Sequence, residues 1–265
     1  MLMAKMAFLI ILNLCFASLA MGQSFAVSNK ALITNPNSRG PIKAYRMVPW
    51  QWQKPGCDMC PIKIVIKGSL QKNKKVREFV KTIETHKFEL LTLYQSDSQE
   101  YNLLARMAVG ILGRESLFFE STRYYYKENF PEVISIFKFL DSMFVYGTFR
   151  VSPNSRGPTQ IKMIPEMIKS EYGFDESELY VPKNAALATM GYLIEALAEL
   201  KRRIRLNKLT FINKNNYVDY LPYIYFGSKN MLLNRKATPD KNIYIIDMKR
   251  YMKLASIYEV HANKH

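Results

Sequence analysis

The chain reads as a mostly α domain preceded by an irregular N-terminal arm, and three features of its sequence carry that reading. Apolar residues recur at three- and four-residue spacing over two long stretches, 101–116 and 183–204. Proline and polar residues collect between the helical stretches, which divides them into short helices joined by loops. A single short run, 62–67 (IKIVIK), alternates as a strand does.

From the N-terminus, residues 1–22 have the layout of an export signal. Lys5 supplies the positive end, an apolar run from Ala7 to Leu19 is broken by Asn13 and Ser18, and Ala20-Met21-Gly22 offers small residues for cleavage before Gln23. That run is too short to span a bilayer comfortably, and no later stretch has the length of a transmembrane helix. The expectation is a soluble monomer, secreted or periplasmic. Cleavage removes Cys15 and leaves Cys57 and Cys60 in GCDMCP. In an oxidising compartment such a pair closes a small disulfide staple. A redox role would need a strand before it and a helix after it, whereas residues 50–56 read as loop. Two cysteines and three scattered histidines do not make a zinc set, so no metal is expected.

Residues 23–72 read as the arm, irregular up to residue 60 and holding the short strand, with the main domain at 73–265. Over 74–94, Val76, Phe79, Val80, Ile83, Phe88 and Leu91 predict one or two amphipathic helices. A central helix follows, capped near residues 96–98, with Asp97 and Glu100 favourable in its opening turn. Leu103, Leu104, Met107, Ala108, Ile111 and Leu112 form its apolar face. Residues 117–149 are heavily aromatic. Tyr124, Tyr125 and Tyr126 are adjacent and cannot all share one face, so at least one should reach solvent or a groove. Pro131 starts a further helix. After a turn at 152–160, helices are expected over 183–204, 217–233 and 244–260. The hexapeptide Pro36-Asn37-Ser38-Arg39-Gly40-Pro41 recurs at 153–158, without a period that would make a repeat protein.

Lys and Arg number 38 against 22 Asp and Glu, a net charge of +16. Such a field draws a protein to anionic polymers or surfaces but does not choose among them. No nucleic-acid recognition motif is present, and none of the G-x-S-x-G, H-E-x-x-H or P-loop patterns occurs.

The candidate for chemistry is Glu115, at the C-terminal end of the central helix. The negative end of the helix dipole and desolvation by Leu112, Leu117 and Phe118 both oppose its ionisation. A carboxyl that keeps its proton near neutrality can protonate a leaving oxygen. The competing reading is a surface glutamate paired with Arg114 or Arg123.

Four pieces in order carry a family resemblance over residues 95–260. Ile111-Leu112-Gly113-Arg114-Glu115-Ser116 resembles the helix-terminal Glu-Ser motif of soluble lytic transglycosylases and goose-type lysozymes. Gly157-Pro158-Thr159-Gln160-Ile161 resembles their Gly-x-x-Gln-Ile segment, and Asn184 through Gly191-Tyr192-Leu193 is similar to the helix that follows. Tyr225-Phe226-Gly227 stands where the family has Tyr-Asn-Ala-Gly, and the Tyr251 helix is similar to the closing one, although Tyr244 could hold that place. The resemblance implies a lysozyme-like fold and cleavage of the β-1,4 bond between N-acetylmuramic acid and N-acetylglucosamine in peptidoglycan. It makes Glu115 the acid, Gln160 a substrate contact beside Gly157, and Tyr225 the tyrosine that leans on the acid. Ser155, Tyr126 and Tyr251 join the candidate substrate-binding set, and no cofactor is implied.

The departures are an insertion at 117–152 and Phe226 in place of the family asparagine. No second carboxylate is marked; Glu120, Glu128, Asp141 and Glu166 are candidates without support. The substrate's own acetamido group or 6-hydroxyl would then stand in, giving an anhydro product, or a phenol such as Tyr126 would position water for hydrolysis. N-deacetylated strands remain open as substrate, since a cationic sugar needs a locally acidic groove. The alternative is a non-catalytic wall- or membrane-binding protein on the same scaffold, held by its charge.

Overall fold

The computed structural model describes residues 44–47, 60–122, 124–125, 155–227, 230–233 and 237–261. Residues Lys43–His265 form one compact unit. The expected export signal, Cys57, Arg123, Tyr126, the Pro131 helix and the first copy of the repeated hexapeptide lie outside the described residues.

The described chain is mostly helical. In order it runs β1 (Ala44–Met47), β2 (Ile62–Ile66), α1 (Lys74–Thr85), α2 (Lys87–Tyr94), α3 (Ser98–Ser116), α4 (Glu166–Tyr172) and α5 (Pro182–Asn207). There follow α6 (Tyr217–Tyr225), α7 (Asn230–Leu233), α8 (Ile243–Met252) and β3 (Ala255–His261). The strands make one antiparallel sheet in the order β1-β3-β2, so the last strand lies between two strands of the segment read as an arm. Ile62, Ile64 and Ile66 turn one face of β2 inward. The edge of β2 is blunted by Glu84, which accepts from Ile64 N at 2.6 Å and from Lys63 Nζ at 3.2 Å.

Helix α3 is the core. Asp97 caps it, accepting from Gln99 N at 2.6 Å and Glu100 N at 3.3 Å. Every residue from Leu104 to Gly113 is buried, beyond the one-sided stripe read from spacing, because helices or strands cover it all round. Glu100 is buried too, and forms an ion pair with Lys201 of α5. Two glycines let α8 approach closely. A Cβ at Gly110 would stand 2.5 Å from Met252 Cγ and 2.8 Å from Met248 O; one at Gly113 would stand 2.5 Å from Tyr251 Cγ. Helix α5 begins with Pro182 in its first turn and buries Ala185 through Gly191.

The stretch 74–94 forms two helices, within the one or two expected, and two later expected helices divide or change. His86 and the left-handed Gln95 separate and end α1 and α2. The helix expected over 217–233 breaks at Phe226 and Gly227, the latter at φ +81°. The final helix stops at Met252, and residues 255–261 are strand. There Ala255, Ile257 and Glu259 are buried in alternation, a period of two that the longer helical reading obscured.

Candidate active site

Glu115 sits on the last turn of α3 and is half-buried. The helix ends one residue later in an unusual way. Leu117, Phe118 and Phe119 all have left-handed backbones, at φ 47°, 60° and 70°, without a glycine among them. Ser116 holds this turn. It is fully buried, donates from Oγ to Leu112 O at 2.9 Å and accepts from Phe119 N at 3.1 Å. The turn also decides which neighbours cover the end of α3. Phe118 is buried, and meets Tyr251 edge-on at 5.6 Å, whereas Leu117 is 48% exposed. Leu117 therefore contributes little of the desolvation expected of it.

The basic neighbour Arg114 is engaged elsewhere. Its Nε lies 3.4 Å from Asp247 Oδ2 of α8, an ion pair without hydrogen-bond geometry, and its guanidinium rests over the Tyr244 ring at 5.4 Å.

Two phenols from other helices converge on Glu115. Burial pushes the Tyr225 hydroxyl well above its ordinary pKa, with the Glu115 charge the next cause and Tyr192 after it. Tyr225 donates to Thr159 O at 2.6 Å and meets the Tyr192 ring edge-on at 5.2 Å. Tyr244 of α8 is likewise raised well above its ordinary value, first by burial and then by Glu115. Its ring is half-buried, while its hydroxyl oxygen is shielded and has no well-formed hydrogen bond among the described residues. Glu115 acts on the Tyr244 phenol through its charge and through a side-chain hydrogen bond that lies outside strict geometry.

The Gly157–Gln160 turn is tied into the same place. Arg156 and Ile161 exchange backbone hydrogen bonds of 2.7 and 3.0 Å across it. Gly157 has φ +71°, and a Cβ there would stand 2.6 Å from Leu179 O, so this position accepts glycine for both reasons. Gln160 is left-handed at φ 56° and donates from Nε2 to Gly157 O at 2.7 Å. Buried Ser155 donates from Oγ to Gln160 Oε1 at 3.2 Å. Thr159 anchors the turn to α5 through Thr189, hydroxyl to hydroxyl at 2.8 Å, and to α6 through Tyr225.

Of the residues proposed from sequence, Glu115 and Tyr225 are therefore coupled, and Ser155, Gly157 and Gln160 form one turn joined to Tyr225 through Thr159. Tyr251 is placed differently. It packs on Gly113 and Phe118, and Tyr244 is the tyrosine of α8 that Glu115 acts upon. Thr159, Thr189 and Tyr244 were not picked out as site residues. Only Tyr244 carried a signal, as the second possible match in the closing helix. Cys60 is disulfide-bonded, and its carbonyl accepts from the fully buried Lys87 Nζ at 2.7 Å. Among the described residues no group of three or more His, Cys, Asp or Glu could hold a metal ion, and no helix is long and apolar enough to cross a membrane.

Fold and site together define a mostly helical domain with a half-buried carboxylate set among tyrosines and beside a strained glutamine turn. No family model, curated protein or solved structure matches the chain.

Proposed function

We propose that this is an exported peptidoglycan muramidase with a lysozyme-like helical domain, cleaving the β-1,4 bond between N-acetylmuramic acid and N-acetylglucosamine, with Glu115 as general acid. One observation carries the reading. Three segments far apart in the chain, chosen for their motifs, are linked through Tyr225, which feels the Glu115 charge at the end of α3 and donates to Thr159 O in the Gly157–Gln160 turn. The competing reading pairs Glu115 with Arg114 or Arg123; Arg114 pairs with Asp247, and Arg123 lies outside the described residues.

In the proposed reaction Glu115 protonates the bridging oxygen as the glycosidic C–O bond breaks with its electrons going to that oxygen. The sugar C1 bonds to water or to its own 6-hydroxyl oxygen, whose proton returns to the Glu115 carboxylate. The phenols at Tyr225 and Tyr244 keep their own protons through the neutral range, because burial and the carboxylate both raise them. They therefore act as neutral donors and as walls that limit water. The net charge of +16 favours the approach to an anionic wall.

The test is Glu115→Gln, which keeps the size and the neutral form of the acid while removing its proton-transfer capacity. The variant should fold and bind purified sacculi but release no muropeptides. Full activity in that variant defeats the proposal. A wild-type protein that binds sacculi in a salt-reversible way and releases nothing supports the charge-held, non-catalytic alternative. Mass spectrometry of the released fragments distinguishes hydrolysed from anhydro ends by one water.

A further inference from the structure

Helix α8 divides its side chains between core and solvent. Ile245, Met248 and Met252 are buried and belong to the core. The opposite side carries Ile243, Ile246, Arg250 and Lys253, all exposed, which repeat the same three- and four-residue spacing and so share one face. Ile243 is 70% exposed and Ile246 47%.

The charges around this face are sorted as well. Asp247, at one edge, is held by Arg114 at 3.4 Å, and Lys249, at the other, pairs with Asp219. Arg250 and Lys253 take part in no ion pair among the described residues. Asp240 and Lys241 stand just before the helix and offset one another. The uncompensated charge of the face is therefore positive, on a chain of net charge +16. Cations at the end of a helix suit its dipole, which accounts for Arg250 and Lys253 without a partner. It does not account for the isoleucines, since large aliphatic side chains gain nothing by standing in water.

We propose that this face of α8 docks onto an anionic phospholipid surface, Ile243 and Ile246 entering the boundary between headgroups and acyl chains while Arg250 and Lys253 meet the phosphates. A helix lying on a bilayer is held by its buried apolar area together with the attraction of its cations to anionic lipid, and both occur here along one line. The cations alone would serve any anionic polymer. The isoleucines select lipid, because a bilayer offers them an apolar phase and a glycan or polyphosphate chain does not. A second copy of the chain is a poorer occupant, for pairing this face with itself sets like charges against each other. The inward side of α8 is pressed on α3 at Gly110 and Gly113, so the face is presented by a fixed element. Docking does not depend on the role of Glu115.

The test is co-sedimentation of the mature chain with vesicles of phosphatidylglycerol and phosphatidylcholine in equal parts, or of phosphatidylcholine alone, at low salt. Wild type should partition at least about tenfold better onto the anionic vesicles. Ile243→Ser combined with Ile246→Ser should lower that partition about tenfold or more. Leu206→Ser, which alters a 62% exposed side chain on α5, should leave it within about twofold. Arg250→Gln combined with Lys253→Gln should lower it about tenfold and flatten its salt dependence. All these side chains are exposed, so the variants should unfold at the wild-type temperature. A wild-type protein that stays in solution beside anionic vesicles overturns the proposal. So does a folded isoleucine pair variant that partitions like wild type, which would mean attraction spread over the whole surface. Conversion of a dimer to a monomer by the isoleucine changes in the absence of lipid would make this face a contact between copies, and the same changes abolishing binding to lipid-free sacculi would assign it to a wall polymer; either result overturns lipid docking.

Discussion

At the scale of single residues, Ser116 is as important to the site as the acid it follows. Three successive non-glycine residues in the left-handed region cost on the order of 1–2 kcal/mol each, and they persist only where the surroundings fix them. Ser116 is what fixes them, for its one hydroxyl bonds both the end of α3 and the Phe119 N–H. Ser116→Ala should lower unfolding free energy by about 1–3 kcal/mol, because it leaves the part-buried Phe119 amide without its acceptor. Urea denaturation measures that loss. Activity should fall further than stability does, since the turn sets where Phe118 and the end of the helix lie around Glu115. A variant with wild-type stability would mean that the turn is held by its other backbone bonds, Leu117 N to Gly113 O and Ser121 N to Ser116 O.

At the scale of elements, the distance between α3 and α8 fixes whether a tyrosine reaches the acid. Gly110 and Gly113 are the two positions where α8 presses on α3. A methyl at Gly113 meets Tyr251 Cγ and Cβ, the root of that side chain, whereas a methyl at Gly110 meets the Met248 carbonyl, which is backbone and moves only with α8. Both Gly→Ala changes should destabilise by about 1–3 kcal/mol through overpacking, with Gly110→Ala the more severe. Thermal unfolding of the two variants gives the order, and equal Tm values would refute it. The same packing explains what the sequence could and could not reveal. Glu115, Tyr225 and the Gly157–Gln160 turn were legible because each sits in a local motif. Tyr244 and Tyr251 are seven residues apart, two helical turns, and so lie on one face of α8. Spacing cannot choose between them; the offset of α8 along α3 does. Likewise, a Thr159–Thr189 hydroxyl contact joins residues thirty positions apart and leaves no periodic trace.

At the scale of the whole molecule, one sheet joins strands that lie far apart in the sequence. Strand β3 pairs with β1 along 44–47 and with β2 along 62–66, so residues 255–261 join both strands of the N-terminal segment to α8, which precedes them directly. Local helical patterning dominated the reading of this region because the alternation of β3 starts only two residues after a true helix ends. Contacts of such long sequence separation form late and at a high entropic cost, so they reward the chain only when the whole domain is assembled. Removing residues 255–265 would leave β1 and β2 without a partner between them and would uncover Ile62, Ile64 and Ile66. It also takes away the fully buried Ile257 side chain, which alone contributes about 1.5–3 kcal/mol by burial. Together these losses are comparable with the ~5–15 kcal/mol that separates a folded domain from its unfolded chain. The truncated protein should therefore lose soluble yield, or melt more than about 10 °C below the full chain, even though every site residue remains. If it melts with the full chain and still clears sacculi, the sheet is an ornament on a self-sufficient helical core. If it fails, the last strand is a condition for the site, and the acid at the end of α3 depends on a residue pairing made at the far end of the sequence.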